Sequence, residues 1–425
     1  MKQGILLTSL VACSLLGAQE QVENDSKSTN ELTHSVKELV ANIAKKAPKE
    51  ANQAESFENM FKHGVVSGQI RSMYADNTKK DPTQSNDYAT AVGGFLKYKL
   101  AQYHGFNAAV AFSTSQNINS LSGKDAEYNP VLSSQEKNYT ELTQAFVNYK
   151  YEKLNVRAGR QMIDTPLADS DDIRMIANSF EAYIAEYELS GFELMAGHIV
   201  SWQGTDVDLD ASWDKTGKDG TNFGGVSYHD MYEMNAWFYN ITGKTNATYV
   251  DVGIQYEEID ELILHAGIQY LNQQELDSSG TAASIYGVLA ETIYKGFGVS
   301  ISYNKAAKQK DKESFSGFGG GTLYTNMDSM ILDNITKDRE VQAVSAGLTY
   351  ENEHFGVLYA FGDFSAKADA TGLKAHVLEH DIGVNYKVTD KFELSAIYVI
   401  SQDRESQVKT EYDFNHFRAM LNYNF

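Results

Sequence analysis

Cysteine is almost absent from this chain of 425 residues. The single one, Cys13, lies inside a stretch that reads as an export signal. Lys2 gives a positive start, Ile5 to Leu16 is apolar or small, and Gly17-Ala18 offers a cleavage site. That run is too short to span a bilayer. Cleavage after Ala18 leaves no thiol for disulfides or thiolate metal sites. Leu10-Val11-Ala12-Cys13 also resembles a lipoprotein box, so lipidation of Cys13 stays open. Proline is scarce, at 4 residues, which suits long strands because proline removes a ladder donor. No later segment approaches 18 uninterrupted apolar residues, which excludes membrane helices. A soluble secreted protein, a periplasmic one, a lipid-anchored one and a transmembrane β-barrel remain. Basic charge is short as well: 36 Lys and Arg stand against 57 Asp and Glu, for a net −21. Phosphate recognition needs a basic surface, so no nucleic-acid partner is expected. There is no Walker loop, no HExxH and no cysteine nucleophile, and the ten histidines lack ligand spacing. Gly319–Gly321, in Phe315-Ser-Gly-Phe-Gly-Gly-Gly321, follows no strand–helix context and reads as a flexible loop rather than a phosphate cradle. Neither an enzyme, nor a cofactor, nor a metal site is expected.

What is present is aromatic and alternating. Tyr numbers 26 and Phe 20, an abundance that suits the interface girdles of a membrane barrel. From about residue 60 the pattern has period two. In Phe297–Asn304, Phe297, Val299, Ile301 and Tyr303 oppose Gly298, Ser300, Ser302 and Asn304. In Leu378–Val388, Ile382, Val384 and Tyr386 oppose Glu379, Asp381, Gly383 and Asn385. This is the pattern of half-buried strands, which a soluble sandwich shares. The connections discriminate. Tight ones, such as 151–153, 189–191, 294–296 and 389–391, mostly take turns with long polar ones at 116–138, 203–220, 306–338 and 401–411. Outer-membrane barrels sort their loops in this way. Counting along that alternation gives about 18 strands between 64–76 and 412–425, with a break near Asp230 required to keep the number even.

The last strand ends Phe417-Arg-Ala-Met-Leu-Asn-Tyr-Asn-Phe425. Phe417, Ala419, Leu421, Tyr423 and Phe425 share one face; His416, Arg418, Met420, Asn422 and Asn424 share the other. A terminal Phe on an alternating strand resembles the signal read by the barrel assembly machinery. Residues 19–60 lack this order. Leu32, Val36, Leu39 and Ile43 make an apolar stripe on a short helix, read as a flexible lead-in or as part of a periplasmic coiled coil. The fold class expected is therefore all-β: a transmembrane antiparallel β-barrel over 61–425, preceded by a partly helical periplasmic lead-in at 19–60 and a signal peptide at 1–18.

One segment, Leu154 to Glu181, resembles the third-loop region of the OprD family of outer-membrane porins. The matching residues are Gly159-Arg160-Gln161, Thr165-Pro166-Leu167, Asp171-Asp172, Arg174, Asn178 and Phe180-Glu181, with further likeness in Gly68–Tyr74. Ala177 stands where the family usually has Pro, and the lead-in is longer than expected. The resemblance implies a third loop that folds into the barrel, anchored at Thr165 and Pro166. It implies a basic track at Arg160 and Arg174, facing acidic groups at Asp169, Asp171 and Asp172. Read from the residues alone, Arg174 could instead pair with Asp171 or Asp172 and merely pin the loop. Strand phase adds Arg71 and Arg418, which would line one lumen wall where the first and last strands meet, since a charge facing lipid costs about 2–4 kcal/mol near the midplane. The expected function is passive diffusion of small polar solutes (carboxylates, amino acids or short peptides) across the bacterial outer membrane, in contact with its lipid, as a monomer or homotrimer. The alternative is a structural or adhesive barrel without significant transport.

Overall fold

A computed structural model describes residues 53–80, 86–123, 138–204, 213–256, 261–319, 321–405 and 412–425. The signal peptide and the Leu32–Ile43 stripe lie outside the described residues. A short helix, α1 (Phe57–Lys62), leads into eighteen long strands. These are β1 (Val65–Lys79), β2 (Asp87–Lys99), β3 (Phe106–Asn117), β4 (Tyr139–Tyr151), β5 (Leu154–Gln161), β6 (Ser179–Leu189), β7 (Phe192–Gln203), β8 (Thr221–His229) and β9 (Tyr232–Ile241). They continue as β10 (Thr245–Tyr256), β11 (Leu262–Glu275), β12 (Ala283–Tyr294), β13 (Phe297–Ala306), β14 (Val341–Glu351), β15 (Phe355–Ala366), β16 (Ala375–Thr389), β17 (Phe392–Asp403) and β18 (Phe414–Asn424).

Each strand pairs antiparallel with the next, and β18 returns to β1, from Gln69↔Asn424 to Lys79↔Phe414. The sheet is closed. The break expected near Asp230 falls between β8 and β9, and the strand number is the one read from loop alternation. All connections at one rim run two to six residues. Two of them, Ser190-Gly191 and Lys295-Gly296, hold both residues at positive φ, the geometry of the hairpin turn that matches strand twist. The longer connections gather at the opposite rim, with one exception at 242–244.

The pleat gives each strand an outward row and an inward row, and the outward row is apolar while charges are confined to the inward one. Ile268, Val299, Ile301, Leu348, Val147 and Phe112 are all more than half exposed on the outer face. Arg71, Asn304, Glu379 and Asp381 are fully buried on the inner one. At the short-turn rim the exposed positions become aromatic: Tyr151, Tyr187, Tyr232, Tyr294, Phe297, Phe355 and Phe425. An apolar belt bounded by aromatic rings is the surface a bilayer solvates.

The connection 307–340 departs from the expectation of a polar outer loop. It turns inward and buries Phe318, Leu323, Met327, Met330, Leu332 and Ile335 inside the barrel. Its apolar residues fall at irregular spacings, so no helical or strand period marked it as core. The belt sets a first test. Ile268→Lys, at mid-height of β11, should lower the unfolding free energy of the barrel in lipid vesicles by about 2–4 kcal/mol, whereas Ile268→Val should leave the denaturant midpoint nearly unchanged.

Candidate constriction site

The third loop, residues 162–178, leaves β5 and enters the lumen. Its tip is a two-residue ribbon in which Asp164-Thr165 pairs with Ala168-Asp169. Thr165 closes the turn by donating from Oγ1 to the Ala168 carbonyl at 3.1 Å, and Pro166 sits in the turn, where its fixed φ suits the bend. Ile163, Leu167 and Ala168 are buried against Tyr239 and neighbouring wall side chains. The Leu167 N–H donates to the Tyr239 hydroxyl at 3.3 Å.

The 307–340 loop locks onto this tip. Phe318 exchanges backbone hydrogen bonds with it, its N–H donating to the Leu167 carbonyl at 2.9 Å and its carbonyl accepting from Asp169 at 3.0 Å. Asn178 Nδ2 donates to the carbonyls of Asp169 (3.1 Å) and Gly319 (3.2 Å). Gly319 has φ 96°, and a Cβ there would stand 2.2 Å from Asn178 Nδ2. The glycine run is thus a close-packed contact at Gly317 and Gly319, not the flexible loop its composition suggested. Wall amides hold the rest of the segment. Gln269 Nε2 donates to the Thr322 carbonyl at 3.1 Å, and its Oε1 accepts from the Tyr324 N–H at 2.7 Å. Asn304 Oδ1 accepts from Thr325 at 3.0 Å. Gln273 donates to the Phe315 carbonyl at 2.6 Å and accepts from its N–H at 2.9 Å. Side chains here satisfy a non-strand backbone that would otherwise be orphaned inside the barrel.

Charges concentrate where the two loops face β1 and β18. Arg71 is fully buried. Its guanidinium grips Asp172 in a fork, Nη1 to Oδ1 at 2.7 Å and Nη2 to Oδ2 at 2.9 Å. Nε donates to Asn422 Oδ1 at 2.7 Å, and Nη1 also reaches the Arg174 carbonyl. Arg418 Nη2 donates to Asp328 Oδ1 at 2.6 Å. Glu379 Oε1 accepts from the Ser329 and Met330 N–H groups at 2.9 and 3.2 Å, and Asp381 Oδ2 from Asp328 N–H at 3.1 Å. Between these pairs lies half-buried Asp171. Crowding by protein pushes its carboxyl up to about 6, against the pull of Arg174 and Arg418, with Asp172 and Asp328 adding to the rise. The Asp169 carboxyl is also pushed well up, by desolvation first and then by the charges of Asp164 and Asp171.

The residues expected to form the site separate into two groups. Arg71, Arg174, Arg418, Asp171 and Asp172 come together. The ion pairs of the group go to Arg71 and Arg418; half-buried Arg174 holds none among the described residues, and its charge is felt at Asp171 and Tyr139. Arg160 stands elsewhere, at the rim end of β5 in register with Ala145 and Glu181. It donates to the Leu142 carbonyl at 3.1 Å and lies over the Trp213 ring at 4.2 Å. The indole in turn donates to Glu141 Oε2 at 3.4 Å, and Gly159, beside Arg160, holds a φ of 120° that interrupts the pleat. Asp328, Gln269 and Gln273 were not singled out from the sequence. Glu379 and Asp381 were read only as one polar strand face, because strand phase shows which way a side chain points but not which loop backbone will meet it.

Arg71→Ala should loosen the third loop, leaving Asp172 and the Arg174 carbonyl without a donor. Hydrogen bonds to a charged group are worth about 1.5–3 kcal/mol each, so cleavage within 162–178 by added protease should accelerate at least tenfold. Arg71→Lys, lacking the fork, should fall between.

No family model matches the chain, and no curated protein matches it. Solved structures do. OccK9 (OpdG) of Pseudomonas aeruginosa superposes with a TM-score of 0.75 at 13% identity, covering 86% of this chain and 99% of that one. OccAB4 of Acinetobacter baumannii gives a TM-score of 0.73 at 16% identity, with 85% and 98% covered. A BenF-like porin from Pseudomonas fluorescens Pf-5 gives 0.73 at 16%, with 86% and 99% covered. The chain therefore shares, over nearly the whole length of those proteins, the barrel fold that strand alternation and the third-loop resemblance led one to expect.

Proposed function

We propose that this protein is a non-enzymatic outer-membrane channel of the OprD type, through which small polar solutes diffuse passively past an inward-folded constriction. The observation that carries this reading is Arg174. It is a half-buried guanidinium inside a closed barrel, it holds no ion pair among the described residues, and a carboxyl of shifted acidity stands beside it. An arginine in a narrow, partly dehydrated lumen attracts carboxylates, and an adjacent carboxylate orients the ammonium of a zwitterion. Arg71 and Arg418 have a different part. Each is paired with a loop carboxylate, so they hold the loops that shape the opening while Arg174 meets the solute. Carboxylates, amino acids and short peptides are the solutes this chemistry suits. The lipid-solvated belt, the C-terminal strand ending at Phe425 and the likeness to solved channels support placement in the outer membrane after delivery by the barrel assembly machinery.

A second reading, a structural or adhesive barrel, draws on one observation. Apolar residues of both inserted loops pack against the wall from β6 to β16 and fill that side of the lumen. Conductance separates the two. Single openings in planar bilayers, with anion preference reduced by Arg174→Ala, are the expected result. Silence from a folded, inserted barrel would sink the channel in favour of the structural reading.

Acidity gives a further handle. Asp171 belongs to the loop, not to a spanning strand, and its carboxyl titrates near 6. It is charged above that pH and neutral below it. Anion preference, read from reversal potentials in a salt gradient, should therefore rise as pH drops from about 7 to 5. Asp171→Asn should show the low-pH preference throughout and lose the step. An unchanged step in that variant would remove Asp171 from the pathway.

A further inference from the structure

We infer that helix α1 is a membrane-interface anchor, seated in the phospholipid leaflet on the short-turn side of the barrel; the inference rests on reading the wall as membrane-spanning. Ser56 caps the helix, its side chain accepting from the Asn59 N–H at 3.2 Å. Phe57 and Phe61, one turn apart, are 67% and 49% exposed and meet edge to face at 5.4 Å. They are not packed into the barrel. Met60 is, buried on the flank of the helix turned toward the 100–105 turn, where the Ala101 N–H donates to the Met60 carbonyl at 3.0 Å. On the other flank Glu58 and Lys62 form an exposed ion pair. The two rings thus lie between a flank fixed to the barrel and a flank fit for water.

The position of the helix decides what covers those rings. Tyr98 donates its hydroxyl to the Phe61 carbonyl. Along β2, Tyr98 shares its face with exposed Val92 and Leu96, and it pairs with exposed Val66 of β1. That is the outer face of the wall, not the lumen. The helix is therefore pinned to the lipid side of the rim, where its phenyl rings continue the aromatic girdle outward from the strand ends. Gly64 lets the chain pass from helix to strand, since any Cβ there would stand 2.5 Å from the Tyr98 hydroxyl. A short amphipathic helix with aromatic residues on its apolar stripe lies in the plane of the acyl–headgroup boundary.

The test places single spin labels on the full chain, with Cys13→Ser, refolded into phosphatidylethanolamine–phosphatidylglycerol vesicles. Phe61→Cys reports the helix, Ile268→Cys the belt and Glu55→Cys the aqueous side. The expected result is that the label at 61, like that at 268, collides several-fold more with oxygen than with a water-soluble nickel chelate, and that the label at 55 does the reverse. Chelate access at 61 with oxygen access at 268 would overturn the anchor while leaving the barrel in the membrane. Shielding of 61 from both reagents would also overturn it: with spin–spin broadening the cover is a second copy, without broadening it is the protein's own lead-in. Chelate access at 268 would instead remove the membrane reading on which the anchor depends.

Discussion

Everything in this molecule depends on the closing of one sheet edge, the hydrogen-bonded pairing of β18 with β1. A row of unpaired N–H and C=O groups cannot be left facing hydrocarbon, where each costs several kcal/mol. Closure removes the edge and fixes an inside and an outside for every strand. The last residue takes part: Phe425 exchanges backbone hydrogen bonds with Gly68 at 3.1 and 3.0 Å. The register it sets brings Arg71 opposite Asn422 and Arg418 opposite Ala75, both arginines on the inner face.

Closure creates a second problem, which the sequence solves with amides and charges. A lumen this wide needs filling if it is to discriminate among solutes. Filling it with loops brings irregular backbone into a confined space. The wall answers with Gln269, Gln273, Asn304, Glu379 and Asp381, whose side chains take the loop N–H and C=O groups as a neighbouring strand would. Arg71 and Arg418 do the same for loop carboxylates. That pairing is what distinguishes them from Arg174, which holds no ion pair among the described residues.

The two inserted loops illustrate how far pattern reaches. The third was found through a run of particular residues, from Gly159 to Glu181, that resembles a known segment. The other, 307–340, offered no such run. Its Gly-rich stretch carries the composition of a flexible linker, yet Gly317 and Gly319 are where two loops touch most closely. Arg160, which the resemblance assigns to the basic track with Arg174, is taken up at the end of β5 by an indole and a carbonyl, partners that no local pattern names.

By itself the sequence determined the wall: the number of strands, the rim at which each connection lies, and which side chains face in. These follow from period-two alternation and turn chemistry, which are local and repeat every few residues. It also determined that Arg71 and Arg418 would share a wall, because first and last strands must meet. Only the tertiary structure decided which charges are paired with which. Asp172 lies about a hundred residues from Arg71, and Asp328 some ninety from Arg418. No local period encodes such partners; they are chosen by how two irregular loops pack against each other inside a closed barrel.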